Sequence, residues 1–285
     1  MSGLDRRHFA YRDDLADRSL EGRVAAARFV EGHPAQVVAG LASLRRRPEA
    51  ASRQDTEVLF GEPVTVFETR DGWAWVQLAS DGYVGYVAAD QLGPLHVATH
   101  KVVAERTFLY PEPDIKSPAT AALSLGSVLT VTESVGTLLA LASGGFVVAR
   151  HAAPVDNAEP DFVAVAERLV GIPYLWGGKS TKGLDCSGLV QLAMQAAGLP
   201  CPRDSDMQAV GLGAAVAKDT PLRRGDLVFW PGHVGIMVND VSLLHANGHH
   251  MQVVIEPLAE AVDRIAGTGV LVSDVRRLPA LGRAQ

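Results

Sequence analysis

The sequence Gly-Leu-Asp-Cys-Ser-Gly occupies residues 183–188 and joins a glycine-rich loop to an apolar pattern of helical spacing. Asp185 suits the N-cap of that helix, because its carboxylate can accept a backbone N–H that the first turn leaves unpaired. Cys186 then takes the first helical position, where N–H groups and the positive end of the helix dipole stabilise a thiolate. The same N–H groups can hold the oxyanion formed on acyl attack. The stretch therefore predicts a nucleophilic cysteine at position 186.

Two histidines downstream supply the other groups that a cysteine hydrolase needs. His233 follows a Pro-Gly turn into a strand, and His245 lies on the next strand. Nucleophile, base and base-orienting residue thus occur in chain order. Because side chains alternate along a strand, a two-residue turn at 239–240 would point the two imidazoles to opposite faces. The catalytic hypothesis therefore predicts an odd-length loop or a bulge between residues 238 and 242.

The C-terminal part of the chain has an α+β pattern, with helices first and an antiparallel sheet after them. Helical spacing covers residues 162–170 and 185–197, and strand patterns cover residues 227–230, 233–238, 243–246 and 253–255. Cys201 lies between two prolines with no base nearby, and we interpret it as a buried structural thiol. The other histidines have no acidic or cysteine neighbour at ligand spacing, so no metal and no other cofactor is predicted.

Alternating apolar residues and regular turn signals begin at residue 57 and indicate small antiparallel β-modules. The pattern repeats, since Gly61, Thr65, Val66 and Glu68 recur as Gly126, Thr130, Val131 and Glu133. The repeat therefore predicts two β-modules in tandem. Trp73 and Trp75 share one strand face and are interpreted as core residues.

The two copies differ in polar residues. Glu62 and Tyr83 of the first copy correspond to Ser127 and Phe146 of the second. The first copy alone is therefore expected to present a polar recognition surface.

Residues 19–47 are interpreted as two short helices separated by a Gly-His-Pro break. A triplet of arginines at 45–47 suits the C-terminus of the second helix, and Pro48 would stop it. The predicted organisation is a helical segment over 1–49, β-modules over 50–95 and 96–155, and an α+β domain over 156–285.

Composition excludes several functional classes. The chain has 285 residues with 26 basic and 32 acidic side chains, a net charge of −6, which argues against nucleic acid as a partner. No apolar stretch is long enough to span a bilayer. The charged N-terminal residues do not resemble a secretory signal. We therefore expect a cytoplasmic protein with no membrane partner; the sequence makes no prediction of oligomeric state.

Five blocks in order resemble the NlpC-type cell-wall peptidases, which are papain-like. They are residues 173–178, 185–188, 203–205, 225–229 and 232–236. The tandem β-modules similarly resemble bacterial SH3-like domains. Two such modules ahead of this peptidase domain are similar to the γ-D-glutamyl-L-diamino-acid endopeptidases, which act on released cell-wall peptides.

The resemblance implies a role for each matching residue. Cys186 would attack the γ-D-glutamyl carbonyl of the bond to the diamino acid, His233 would act as base and then acid, and His245 would orient His233. Tyr174 would place its hydroxyl near the oxyanion. The residues that would contact a short peptidoglycan peptide are Asp185, Ser187, Ser205 and Trp176, together with Glu62 and Tyr83 for the free amine of an N-terminal L-alanine. Glu68 or Tyr86 could serve instead of the last two.

Simpler structural roles stay open for several of these residues. Tyr174 and Trp176 could pack within their loop, and Asp185 and Ser205 could be helix caps. Two other functions also stay open. One is an amidase or acyltransferase with the same Cys/His site, and the other is a non-catalytic sensor that binds wall fragments through the SH3-like modules.

Overall fold

The computed structural model describes residues 3–279 and divides the chain into two compact units, Met1–Asn157 and Ala158–Gln285. The first unit is built of short strands. They are β1 (Ala16–Asp17), β2 (Phe29–Val30), β3 (His33–Val37), β4 (Leu41–Arg45), β5 (Gln54–Leu59), β6 (Pro63–Arg70), β7 (Trp73–Leu78), β8 (Val84–Ala88), β9 (Leu92–Gly93), β10 (His100–Val102), β11 (Arg106–Leu109), β12 (Ala121–Ser124), β13 (Val128–Leu129), β14 (Val131–Val135), β15 (Leu138–Leu141), β16 (Phe146–Val148) and β17 (Ala152–Pro154). Single 3-10 turns occur at Arg18–Leu20, Ala89–Gln91 and Ala149–His151.

The first β-module is a seven-stranded antiparallel sheet in the described residues 33–93, ordered β5-β4-β8-β7-β6-β3-β9. Alternation along β7 explains its core, because Ala74, Val76 and Leu78 point to one face and join the main cluster of buried residues. Trp75 points to the other face, where it is buried against Phe67 and Leu15. The prediction that Trp75 is a core residue is confirmed.

The second β-module, β10–β17, repeats the order of elements in the first. In both, a series of strands is followed by a 3-10 turn and one closing strand, and the counterpart of β6 is divided into β13 and β14. This module has a core of its own, which contains Val102, Leu123, Leu129, Leu141 and Val147.

The prediction of helices over residues 19–47 is wrong. The one helical element in this fully described stretch is the end of the Arg18–Leu20 3-10 turn, and the regular structure after it is the strands β2, β3 and β4. Burial along β4 alternates with a period of two, and β4 lies between β5 and β8 in the sheet. The apolar spacing of 37, 41 and 44 fits a helix as well as a strand, and the sheet partners decide between them. The arginine triplet lies in the β4–β5 hairpin, where Arg46 donates to Asp55 at 2.9 Å. The first module therefore includes residues that the sequence analysis assigned to a separate helical segment.

The second unit combines four helices with a sheet among its described residues. Its elements are α1 (Phe162–Glu167), β18 (Lys179–Ser180), β19 (Gly183–Leu184), α2 (Cys186–Ala196), α3 (Ser205–Gly211), β20 (Ala214–Ala215), β21 (Asp226–Trp230), β22 (His233–Met237), β23 (Ser242–Asn247), β24 (Gln252–Pro257), α4 (Leu258–Ala266) and β25 (Asp274–Arg277).

Over residues 214–277 the described chain forms a six-stranded sheet in the order β20-β25-β21-β22-β23-β24. Helix α2 packs against β22 and β23, and α4 covers a cluster that includes Val228, Met237 and Leu243. The predicted α+β pattern is confirmed, and so are the two helices and four strands expected in this unit. Helix α3 was foreseen only as the helix that Ser205 could cap, and the short strands β18, β19, β20 and β25, and also α4, were not predicted. Within residues 3–279 we find no helix with the length and apolar character that crossing a membrane requires.

Gly61 joins the two β-modules. Its φ is +75°, and a Cβ at this position would lie 1.9 Å from the carbonyl oxygen of Val128. The neighbouring Phe60 packs in the core of the second module, and its carbonyl accepts the N–H of Val128 at 2.8 Å. The close approach of the two backbones therefore requires glycine.

We expect Gly61→Ala to destabilise the protein by about 2 to 4 kcal/mol, because a positive φ and a steric overlap both oppose the new methyl group. Gly72→Ala is the matched control: its φ is +79°, but nothing lies within 4 Å of the new Cβ. The free energy of unfolding of this control should fall by only about 1 kcal/mol, which is the cost of the backbone conformation alone. Urea unfolding of both variants gives the two free energies, and equal losses would contradict the packing argument.

Candidate active site

Cys186 is the first residue of α2, and the local sequence explains why the helix begins there. Asp185 has an extended backbone, and its Oδ1 accepts the N–H of Gly188 at 2.7 Å. The Cys186 side chain is 8% exposed. The backbone N–H groups of Val234 and Ser187 approach its sulfur. The thiol therefore lies beside the strand that carries His233.

Asp185 also forms a buried ion pair with Arg203, which is 1% exposed. Arg203 Nη2 donates to Asp185 Oδ2 at 2.7 Å, and Nη1 donates to Oδ1 at 3.0 Å. The same Nη1 donates to Ser187 Oγ at 2.8 Å, and Gly177 N donates to Asp185 Oδ2 at 2.9 Å. The carboxylate thus fixes the glycine loop and the residues on both sides of the nucleophile, and its predicted role as helix cap is confirmed. Arg203 was part of a recognised block, but the sequence analysis gave it no role.

The strand register brings His233 and His245 together. Ile236 lies opposite Leu244, and Val238 N donates to Ser242 O across a three-residue loop, 239–241. The prediction of an odd-length loop is confirmed. In this register His233 is diagonal to His245 on one face, and its Nε2 lies 2.8 Å from His245 Nδ1.

A buried carboxylate continues the chain of contacts beyond the two histidines. His245 has no exposed surface, and its Nε2 lies 2.6 Å from Glu256 Oε1. Arg264 donates to both oxygens of Glu256, at 2.7 and 2.5 Å. Asn247 Nδ2 lies 2.9 Å from the same His245 nitrogen. The sequence analysis missed Glu256, Arg264 and Asn247. The available signal was a carboxylate in the otherwise apolar strand after His245.

Burial dominates the protonation of the site. It raises the pKa of the Cys186 thiol to about 12, and the charge of Asp185 acts in the same direction. Burial also lowers the pKa of His233 to about 3, and the neighbouring His245 adds to this effect. Burial thus opposes the thiolate that the helix N-terminus was expected to stabilise. It favours a protonated thiol at Cys186 and a neutral imidazole at His233.

His245 and Glu256, the next two groups, differ in charge. Burial lowers the pKa of His245, although its hydrogen bond to Glu256 opposes this effect. Burial acts to raise the pKa of Glu256, but hydrogen bonds from Arg264 and His245 outweigh it and hold this pKa at about 2. At neutral pH the two imidazoles of His233 and His245 are therefore neutral, and the carboxylate of Glu256 is ionised.

The other candidates in the second unit lie on the segments that flank the nucleophile. Tyr174 forms an isolated parallel bridge with Leu184, and its N–H donates to Met251 O at 2.9 Å. Trp176 is 55% exposed in the loop just before Gly177. Ser205 is the first residue of α3, whose N-cap position belongs to Asp204. The interpretation of Ser205 as the helix cap is wrong by one residue.

The candidates in the first unit have partners within their own module. Glu62 is buried in the β5–β6 turn, where it accepts the N–H of Leu59 at 3.0 Å and the hydroxyl of Ser80. Tyr83 belongs to the core of the seven-stranded sheet. The alternatives Glu68 and Tyr86 both accept hydrogen bonds from Arg12, at 2.6 and 2.9 Å. Turn formation and packing account for Glu62 and Tyr83 within the module, and hydrogen bonds from Arg12, which precedes the module, account for Glu68 and Tyr86.

Comparison with known proteins agrees with this geometry. Residues 171–267 match the NlpC/P60 family, and residues 44–92 match the bacterial dipeptidyl-peptidase SH3 domain. The first of these ranges contains Cys186, His233, His245 and Glu256.

Individual relatives cover most of the chain. Dipeptidyl-peptidase 6 of Lysinibacillus sphaericus is 28% identical over 74% of this chain and 86% of its own length. Gamma-D-glutamyl-L-lysine dipeptidyl-peptidase of Bacillus subtilis strain 168 is 29% identical over 73% of this chain and 77% of its own length. The crystal structure of an NlpC/P60 family protein from Bacillus cereus ATCC 10987 superposes with a TM-score of 0.73, covering 87% of this chain and all of that one, at 21% identity. This chain thus carries a bacterial SH3 domain over residues 44–92 and, over residues 171–267, the NlpC/P60 domain that characterises the NlpC-type cell-wall peptidases.

Proposed function

We propose that this protein is a cysteine dipeptidyl-peptidase that hydrolyses the γ-D-glutamyl to L-diamino-acid bond of free peptidoglycan peptides. Diaminopimelate is the proposed diamino acid. The observation that carries the proposal is the position of Cys186 at the start of α2 beside the strand of His233, together with the contact between His233 and His245. The substrate class rests on relatives named for γ-D-glutamyl-L-lysine peptides.

The neutral resting pair requires that proton transfer accompany attack. His233 takes the thiol proton as the sulfur bonds to the γ-carbonyl carbon, and the helix N-terminus stabilises the oxyanion. His233 then gives the proton to the leaving amine as the C–N bond breaks, which leaves a thioester. Water, with His233 again as base, hydrolyses the thioester and restores the thiol. We assign the Tyr174 hydroxyl to the oxyanion, and Ser187, Ser205 and Trp176 to the peptide.

We further propose that β10–β17 is a second SH3-like module, because its order of elements repeats that of β3–β9. Recognition of the free L-alanine amine would limit the substrate to peptides with an unblocked amino end. Asp185, Glu62 and Tyr83 stay predicted ligands of the L-alanine amine. The proposed role is recycling of released wall peptides in the cytoplasm, where a reducing environment keeps the nucleophilic thiol reduced.

Replacing the nucleophile tests the cysteine mechanism. Cys186→Ser should lower the release of L-Ala-γ-D-Glu from a free tripeptide by at least about 10³-fold, since the hydroxyl is a far weaker nucleophile beside a neutral imidazole. Cys201→Ser is the matched control, because Cys201 is buried against Gln208 and Pro202 and should not affect cleavage. Mass spectrometry measures the dipeptide. Intact peptides together with turnover of another acyl donor would favour the amidase or acyltransferase alternative.

The amino-end requirement has a separate test. Peptides with a free L-alanine amine should be cleaved, and the same peptides with an acetylated amine should not, because acetylation leaves the amine-binding groups unpaired. Competition between the two peptides in one mixture removes differences in enzyme concentration. Equal cleavage would contradict the assignment of Asp185, Glu62 and Tyr83 without affecting the assignment of Cys186.

The lowered pKa values predict an acid-sensitive fold. His233 titrates near 3 when folded and near 6.5 when unfolded, so the unfolded chain binds more protons between these values. The free energy of unfolding should therefore fall as pH decreases from about 6.5 to 3. The pKa of Glu256 is lowered from 4.5 to about 2, so this carboxylate also reduces the free energy of unfolding as the pH falls below 4.5.

Urea unfolding between pH 7 and 4 measures this slope. His233→Gln should flatten it, whereas the control His249→Gln should not, because His249 is an exposed loop residue. An unchanged slope in His233→Gln would mean that the imidazole is not held neutral by burial.

A further inference from the structure

Glu256 and Arg264 form a partly buried ion pair that the proposed cleavage steps do not use: the carboxylate is 9% exposed and the arginine side chain 26%. Glu256 is on β24, two strands from His233, and α4 follows the strand directly and brings Arg264 over the carboxylate. Removing a carboxylate from water has a cost, and such a pair is weak evidence for stability by itself. Its contact with His245 suggests what the pair does for the site.

The two imidazoles can carry their protons in only two consistent ways along this line. If His245 Nε2 carries hydrogen, it donates to Glu256, and His245 Nδ1 accepts the Nε2–H of His233. If Asn247 donates to His245 Nε2 instead, both rings reverse, and His233 carries its hydrogen on Nδ1. Because His233 Nε2 is already occupied by His245, Nδ1 is the nitrogen left for the sulfur. Only the first arrangement leaves a lone pair there to act as base.

Two neighbours compete for His245 Nε2 and favour opposite arrangements. Glu256 Oε1 is an acceptor at 2.6 Å, and the Asn247 amide nitrogen is a donor at 2.9 Å. Asn247 is oriented by its own oxygen, which accepts the N–H of His250 at 2.8 Å. A charged acceptor forms a hydrogen bond about twice as strong as a neutral pair, so the carboxylate outweighs the amide.

We propose that Glu256 is a positioning residue: it holds His245 with hydrogen on Nε2 and so keeps the Nδ1 lone pair of His233 available to Cys186. Arg264 holds the carboxylate as an anion through both oxygens. The only other titratable group recorded near this carboxylate in the described chain is His250, whose Nδ1 lies 3.9 Å from Oε1. The inference rests on the proposed cysteine chemistry and extends it by an outer carboxylate.

Glu256→Gln tests the proposal, because the amide keeps the shape but can donate as well as accept. We expect kcat to fall about 100-fold with KM unchanged, less than the roughly 10⁴-fold loss when the carboxylate directly on a catalytic base becomes an amide. Glu260→Gln is the matched control: it removes a carboxylate that also faces Arg264 but does not contact His245, and it should leave kcat unchanged.

A rescue variant separates tautomer control from a structural effect. Asn247→Asp in the Glu256→Gln background restores an anionic acceptor next to His245 Nε2. We expect the kcat of the double variant to be at least about tenfold higher than the kcat of Glu256→Gln alone. Failure of the rescue, with both variants folded, would show that Glu256 does not act through the His245 proton.

The tautomer itself is observable without substrate. In the wild-type protein labelled with ¹⁵N-histidine, the ring nitrogen shifts should show hydrogen on His245 Nε2, and Glu256→Gln should move it to Nδ1. The alkylation of Cys186 by iodoacetamide, separated from Cys201 by peptide mapping, should slow in the same variant. Hydrogen on Nδ1 of wild-type His245, or unchanged alkylation and kcat in Glu256→Gln, would overturn the proposal. If the wild type does not cleave the peptides, the proposed function fails, but these two readouts still decide the tautomer.

Discussion

The pairing register of β22 and β23 determines whether His233, the proposed base, has His245 as a hydrogen-bond partner. Ile236 opposite Leu244 requires the three-residue connection at 239–241, and a connection shorter by one residue would turn His245 to the other face. With the observed register, the two imidazoles lie in hydrogen-bond contact at 2.8 Å. The remaining polar groups of the site, from Asn247 to Glu256, are arranged around this pair.

The second constraint is desolvation. The sulfur is stabilised by helix N–H groups and by Arg203, yet burial and the nearby Asp185 charge favour the protonated thiol. The ion pair between Asp185 and Arg203 shows why that charge is tolerated, since both carboxylate oxygens receive guanidinium N–H groups. The same carboxylate caps α2 and holds Gly177, so the local structure and the electrostatics of the nucleophile depend on one side chain.

The features that could be predicted from the sequence are those that a short local pattern determines. Asp185 and Cys186 show the start of α2, and the parity argument for His233 and His245 predicts an odd-length loop or a bulge between the two strands. Glu256 was missed because its role depends on the pairing of β23 with β24 and on the packing of α4, which no local pattern encodes. The error at residues 19–47 has a similar origin, because Leu41 and Leu44 fit two periodicities and only the neighbouring strands β5 and β8 select one.

The position of Phe60 has a consequence for how the two β-modules can be separated. This residue follows β5 of the first module, but it contributes its side chain to the core of the second. Truncation of the chain between the modules would expose a phenylalanine on one fragment and leave a void in the other. A chain engineered to exchange one module alone would therefore need a compensating aromatic side chain from the new neighbour.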